Sequence, residues 1–436
     1  MAANNKIFLQ RDIKVYAAKK GTDFGYAIPT LEGIAFSQAV NNATITINEA
    51  SPDGSTQRRG SAAYAESLAP AEWSFQTYLR PTLDTATTYA VGDRDNGATH
   101  GAIEEFLWAA LAGDLDTCTG PSDTVDKAIS GWTFGTANAV LDFSNSNKIQ
   151  LGKFDLIFAL AGTGSGVSDD ENVIYHLDEA VVNEVTVEFD IDGIATCNWS
   201  GFAKKISEVQ DGARPDGSAA GWFANISAAN VITEDANTIT KQNTSTSNFI
   251  QNRLSTVEIA NSLDPNSNYQ DAYTLTLTGG SITVSNNISY VTPSMMQTVN
   301  QPLGHIAGSR TISGTLTCYA DHTSDHSMDL YEDLQEASTY DATNSFETRI
   351  YLGGKNTVYL PNAPGALFVL PSAHLDIPVH NIEDVVSFEL NFTGLGSNAT
   401  HTINSGTGAF DVTGPTAVNK LDATNELFVV MAGTTD

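Results

Sequence analysis

The chain has 436 residues, more than one ordinary hydrophobic core organises, which sets an expectation of two domains. Its 51 Asp and Glu against 21 Lys and Arg leave a formal charge of −30, which opposes adhesion to nucleic acid and to anionic membrane. Three well-separated cysteines, Cys118, Cys197 and Cys318, form no C-x-x-C pair, which argues against a zinc knuckle and a disulfide framework; they read as small buried apolar residues of a reducing compartment. The start, MAANNKIFLQRDIK, lacks the apolar core of a signal peptide, and no run of about 18 apolar residues occurs, so the expectation is a protein folded in a cytoplasm without a membrane span.

Alternation of apolar and polar residues, as in ATITINEA and YTLTLTGGSITVS, predicts a mainly β chain, α+β in detail. Taken in chain order, the predicted elements occur twice. A strand at FLQRDIKVYAA from Phe8 is echoed by FIQNRLSTVEIA from Phe249, and TITIN from Thr44 by SITVS from Ser281. Turn-rich segments follow at 49–71 and 286–309, each leading into an alternating strand: Trp73, Phe75, Thr77 and Leu79 share one face in the first, Ile312, Gly314, Leu316 and Cys318 in the second. Ile103, Phe106, Leu107, Ala110 and Leu111 recur at helical spacing with Gly113 placed to end the run, and SDHSMDLYEDLQEAS is the second helix, with Leu330, Tyr331, Leu334 and Ala337 on one side. KIQLGK from Lys148 pairs with RIYLGGK from Arg349, and the runs beginning His176-Leu-Asp and His374-Leu-Asp pair with each other. Partners keep their order throughout, as a duplication requires. The resulting division is a first β domain at 1–207, a polar linker at 208–247, a second β domain at 248–400 and a C-terminal arm at 401–436, whose apolar Leu427–Met431 reads as a bridge between subunits.

The acid-rich run HLDEAVVNEVTVEFDIDG, from His176 to Gly193, has the residue types of acid–base or metal chemistry. Its period is two, however: Val185, Val187, Phe189 and Ile191 point one way and Thr186, Glu188, Asp190 and Asp192 the other. Catalysis needs a paired acid and base in a cleft, whereas a carboxylate at every second residue makes a surface. In the second copy Val386, Phe388, Leu390 and Phe392 oppose Ser387, Glu389, Asn391 and Thr393, so polar character recurs without a recurring catalytic set.

Asp190-Ile-Asp-Gly lacks the closing glutamate of a calcium loop, and Asp264-Pro-Asn-Ser-Asn-Tyr has Tyr269 where the turn wants glycine, so both read as turns. The best metal pair is His322 and His326, four apart, but the stretch reads first as a helix start capped by Ser324 or Asp325. Gly162–Gly166 is a glycine-rich loop without the lysine of a phosphate cradle, followed by Asp169, Asp170 and Glu171. The other histidines have no Ser or Cys nucleophile context. The expectation is no enzyme, with no catalytic, cofactor or metal site.

The segments AEWSFQTYLRP at 71–81, VNQPLGHIAGSRTISGTLTCYA at 299–320 and ALFVLPSAHLDIPVHNIEDVVSFELNFTGLGS at 366–397 resemble the major tail tube proteins of long-tailed bacteriophages, in a form with the tube domain duplicated within one chain. The resemblance spans most of residues 8–400 and is carried by strand patterns. It implies two tandem β-barrel or sandwich domains, each with a flanking helix, in a structural virion protein. It further implies rings that stack into a hollow tail tube delivering DNA to the host, with three duplicated chains making a pseudo-hexameric ring in preference to six. Assembly would take place in the host cytoplasm, with the tape measure, the terminator and, in a contractile tail, the sheath as further partners.

Phage DNA would pass without being held, and Glu188, Asp190, Asp192 and Glu389 are the expected lining of the lumen, since like charge repels phosphate. By position, Arg58, Arg59, Met295 and Met296 fall in the loops expected to reach the adjacent ring. The alternative is a ligand-binding β protein, a carbohydrate-binding or adhesion module, with which Thr/Asn-rich strands and scattered Trp are equally compatible.

Overall fold

The computed structural model describes residues 8–20, 25–47, 60–84, 99–113, 115, 132–134, 138–144, 151–162, 173–209, 238–240, 248–261, 272–291, 302–340, 346–353, 364–382, 385–396, 402–403, 412–413 and 425–433. As the alternation predicts, these residues are mostly β. The first half contains β1 (Phe8–Lys19), β2 (Gly25–Ile28), β3 (Ala35–Ile47), β4 (Gly60–Tyr78), α1 (Glu105–Ala112), β5 (Ala139–Ser144), β6 (Phe154–Gly162), β7 (Val173–Asp190), β8 (Thr196–Ala203) and β9 (Lys205–Val209). The second half contains β10 (Thr256–Asn261), β11 (Leu277–Ser285), β12 (Ser289–Val291), β13 (Gly304–Ile306), β14 (Thr311–Tyr319), α2 (Ser327–Tyr340), β15 (Phe346–Leu352), β16 (Gly365–Leu375), β17 (Val379–Ile382), β18 (Val386–Leu395) and β19 (Asn425–Ala432).

Antiparallel pairing in the first half runs β3-β4-β8-β7-β6-β1-β2. In the second half it runs β11-β14-β18-β16-β15-β10, the same order with a helix at the same point of the chain. One strand departs from the sequence reading. Val386–Leu395 does not take the place of Val185–Ile191; it takes the place of β8, beside the strand that follows the long hairpin. The cause is local: β7 continues unbroken from Val173 to Asp190, whereas β16 stops at Leu375, three residues before Pro378, which has no N–H to give a ladder.

The halves share one hydrogen-bonded sheet that closes into a barrel. β11 lies along the second part of β7, from Glu184 opposite Ser285 to Asp190 opposite Gly279. β19 forms a second seam, pairing with β5 of the first half and β16 of the second. The apolar run Leu427–Met431 is therefore buried inside its own chain and is not an exposed bridge between subunits. Two further segments are more regular than their composition suggests: residues 60–71 belong to β4, and 286–309 contain the β12–β13 hairpin. Within the expected linker, Thr238–Thr240 pairs in parallel with β2.

The core explains both the helix and the barrel around it. Every residue of α1 is buried, so this short apolar segment is enclosed rather than laid on a surface. Gly113 ends it at φ 83°, the left-handed conformation that glycine adopts without penalty, as the sequence predicts. Trp108 meets Trp199 of β8 edge to face at 5.1 Å between ring centroids, a geometry worth about 0.5–1.5 kcal/mol beyond area burial. On the core face of the sheet, aromatic rings lie across from glycines: Trp73 faces Gly201, Phe189 faces Gly280 and Phe392 faces Gly314. Each glycine leaves room for the ring of the neighbouring strand.

Glu104, immediately before α1, is fully buried, with its Oε1 accepting the Arg80 N–H at 3.0 Å. Burial pushes its carboxyl up to about 8, so the folded protein holds it protonated at neutral pH. The unfolded chain ionises near the ordinary carboxylate value, so between that value and about 8 it sheds a proton that the folded chain keeps. Stability therefore falls as pH rises across this window. Glu104→Gln, which preserves shape and neutrality, is expected to flatten the dependence: its melting temperature should exceed the parent's at pH 8 and lose that advantage at pH 5. Parallel slopes of melting temperature against pH would show that Glu104 is not the group responsible.

Candidate functional site

The most extensive feature is one face of the six contiguous strands β4-β8-β7-β11-β14-β18. Register aligns its residues in rows across both halves: Gln76, Asn198, Thr186, Thr283, Ser313 and Thr393 form one, and Tyr78, Thr196, Glu188, Ser281, Thr315 and Asn391 the next. The opposite face of the same strands carries Phe75, Trp199, Val185, Val284, Ile312 and Phe392, all buried. Period two thus delivers one core face and one polar face from the same sequence.

Hydroxyls and amides stitch the polar face together, with Thr186 Oγ1 3.0 Å from Thr283 Oγ1 across the seam between halves and Thr315 Oγ1 donating to Asn391 Oδ1 at 2.9 Å. None of the six strands, nor β3 beside them, contains a Lys or Arg. Their acids on this face are Glu72, Glu184, Glu188, Asp190 and Glu389. These strands offer hydrogen-bonding groups and negative charge and supply no Lys or Arg of their own to hold an anion.

Glu188, Asp190 and Glu389 are exposed on this face, as the alternation predicts. Asp192 lies past the end of β7, in the turn, where its carboxylate accepts from the Arg253 guanidinium. It therefore contributes less free negative charge than the other three. Arg58, Arg59, Met295 and Met296 lie outside the described residues, as do Asp264–Tyr269 and most of the Gly162–Gly166 loop.

His322 and His326 do not share a helix face, because α2 begins only at Ser327. His326 Nδ1 sits 2.9 Å from the Ser324 carbonyl oxygen, while the Asp321 N–H donates to Ser327 Oγ and the Asp325 N–H to Asp329 Oδ2. The stretch is a helix entry, in which Ser327 Oγ and Asp329 Oδ2 hold the N–H groups of Asp321 and Asp325 just before the helix.

Two clusters were not read from the sequence. His176 is buried with its Nε2 3.0 Å from Asp155 Oδ1, and Asp178 brings a third possible ligand atom within 4.8 Å of both. Asp178 is already engaged by Lys20 Nζ at 3.1 Å, so a resident cation occupies the charge that a metal would need. Glu179, at φ 53° where β7 bulges, gathers Lys20, Lys153 and Lys204. Burial opposes its ionisation, but hydrogen bonds from Lys153 and Lys20, with their charges, bring the carboxyl down to about 2. The acids of the first His-Leu-Asp run thus include a half-buried clamp, Asp178 and Glu179, and an exposed ladder, Glu188 and Asp190. The clamp fixes the bulge; the ladder faces out.

The described residues define a β protein: a closed barrel, a broad polar face whose strands carry no Lys or Arg, and titratable groups engaged in holding strands together. No helix among the described residues is long and apolar enough to cross a membrane. No family model matches the chain. It is 27% identical over 372 residues to the tail tube protein pb6 of Escherichia phage T5, a match covering 84% of this chain and 67% of that protein. That likeness supports a major tail tube protein of a tailed phage, a structural component of the virion, and does not favour the ligand-binding alternative. A structural relative also points away from catalysis.

Proposed function

We propose that the chain assembles with itself into rings that stack into the hollow tube of a phage tail, and that the face of β4, β8, β7, β11, β14 and β18 lines the bore. The observation that carries this reading is the absence of Lys and Arg from seven adjacent strands of a chain with 21 such residues. DNA must move along such a wall without sticking, and each cationic contact to phosphate would add to binding and slow its passage. Glu188, Asp190 and Glu389 are the principal lining acids in this reading, with Asp192 at the rim.

The repeated strand order supports a duplicated tube domain, with 1–207 and 248–400 as the two copies, 208–247 joining them and the C-terminal strand β19 completing the second. Two equivalent units per chain make a ring of three chains the natural pseudo-hexamer. The β3–β4 hairpin supports contact between rings: beyond Val40 and Leu68 it is largely exposed, and it leads into the segment holding Arg58 and Arg59. Met295 and Met296 take the corresponding place in the second copy. Tape measure, terminator and, in a contractile tail, sheath proteins are the further partners of this reading, with no catalytic activity.

Negative-stain microscopy of the purified protein is expected to show rings or tubes of regular repeat, and the mass of an isolated ring should correspond to three chains. Dispersed single particles at all concentrations would overturn the tube, and a mass of six chains would overturn the trimer.

A further inference from the structure

β19 sits between the halves and is held from every side. On one edge Leu427–Met431 is laddered to Ala139–Phe143 of β5 in the first half, and on the other Phe428–Ala432 to Gly365–Val369 of β16 in the second. Its alternate residues enter two cores: Leu427, Val429 and Met431 join the main one, while Phe428, Val430 and Ala432 pack with Tyr351, Leu367 and Val369 on the other face of the sheet. An unbroken apolar run buried on both faces marks a strand with no solvent side.

Arg310 couples this strand to the seam between β7 and β11. Its guanidinium donates to Glu426 Oε2 at 2.8 Å and to the Ala112 carbonyl at the end of α1 at 3.3 Å, and it lies over the Phe143 ring of β5. Its Nε donates to Asn286 Oδ1, and Asn286, just after β11, donates in turn to the Leu111 and Val182 carbonyls. The Arg310 and Glu426 side chains are only 11% and 19% exposed, so withdrawing β19 leaves a largely buried cation without its acid.

The two halves complete this part of the sheet differently. In the first, β7 carries β6 on one side and β9 on the other over Ile174–Leu177, and β9 follows β8 after the single residue Lys204. In the second, β16 carries β15 and β19 in the same way over Ala366–Val369, but residues 396–424 separate β19 from β18. Closing a long loop costs more chain entropy than closing a turn, and that cost precedes the contacts that offset it. β19 also needs two edges at once. β5 and β16 belong to different halves, so its slot exists only after the halves have docked.

We propose that β19 is a closing strand: it orders last in folding, and its insertion makes the chain competent to form rings. A ring of duplicated chains closes only if the step from first half to second matches the step from chain to chain, so the halves must be held at one angle before copies are added. The β7–β11 seam alone leaves the halves free to twist about it; β19 adds a second seam and removes that freedom. Insertion also covers the edges of β5 and β16, which while vacant invite strands of other chains. The gate rests on the ring reading above; the order of folding does not.

The test is pulsed hydrogen exchange on the full chain refolding from urea, read by mass spectrometry of peptic fragments, with rings followed in the same samples by negative-stain microscopy. Amides of 425–432 are expected to gain protection after those of Glu184–Asp190 and Leu277–Ser285, and rings to appear only then. Protection of β19 together with the β7–β11 seam, or before it, would overturn the order. Rings populated while 425–432 still exchange freely would overturn the gate. Val429→Asp sets a carboxylate at a fully buried position of β19. This variant is expected to keep the β7–β11 seam protected, leave 425–432 unprotected and form no rings, and an excess of a peptide of residues 425–433 should restore them. Rings from the variant without the peptide and with the strand unprotected would overturn the gate, and loss of protection at the seam as well would overturn the order, because the halves would then need β19 in order to dock. Parent protein that folds fully yet forms no rings would overturn the ring reading and the gate with it, while the order of protection would still decide the folding step.

Discussion

Gly314→Ala is expected to destabilise the protein by about 3 kcal/mol, at the upper end of what overpacking a core costs. In an ordinary strand the same change stabilises, because glycine loses more conformational freedom on folding than alanine does. Here a Cβ at Gly314 would lie 2.2 Å from the Ser281 carbonyl oxygen and 2.3 Å from Phe392 Cζ. The oxygen belongs to the β11–β14 ladder and the ring to the packed core, so neither can withdraw without breaking pairing on one side or opening a void on the other. Gly201→Ala should behave alike, its Cβ meeting the Val181 oxygen at 2.1 Å and the Trp73 ring at 2.4 Å. Gly60→Ala, with open space around it, should change stability by less than about 0.5 kcal/mol. Urea midpoints of the three variants decide the matter; a Gly314→Ala midpoint level with that of Gly60→Ala would show that the sheet can relax around the methyl.

The glycine–aromatic pairs also show what could be read in advance. Alternation located the long strands and separated their faces within them, because period two is a local property that burial on one side enforces at each residue, but it overran at the ends, where Ile191 and Val386 are 40% and 39% exposed. The acids Glu188, Asp190 and Glu389 were legible on that ground alone. β8 carried the same signal in Cys197, Trp199 and Gly201 opposed by Asn198 and Ser200, yet the repeat of His-Leu-Asp drew the strand after it into the wrong partnership. His176 and His374 show why a shared tripeptide misleads. His176 is buried against Asp155, 21 residues earlier on the neighbouring strand, while His374 is half exposed beside Asp376. The first contact depends on the register between β6 and β7, which no short motif encodes. Glu104 was equally hidden: nothing local marks an acid beside an apolar helix as buried, and only the closure of distant strands around α1 encloses it.

Replacing both Glu188 and Glu389 by lysine is expected to convert an indifferent tube into one that holds DNA. Both side chains are exposed on the polar face, so the monomer should fold with its stability changed by less than about 0.5 kcal/mol. Each chain then gains two cations where seven adjacent strands had none, and a ring repeats them in every subunit. Parent tubes should not retain short duplex DNA. Variant tubes should retain it at low salt and release it as salt rises, the logarithm of the apparent affinity falling by about 0.9 per phosphate contact for each tenfold increase in salt. Virions assembled with the variant should accordingly eject more slowly, with the defect relieved by salt. Two results would sink the assignment. Variant tubes as indifferent to DNA as the parent would place this face away from the bore. Loss of assembly with monomer stability unchanged would make it an interface between subunits, because lysines on a wall that touches only solvent and passing DNA have no reason to disturb the contacts that close the ring.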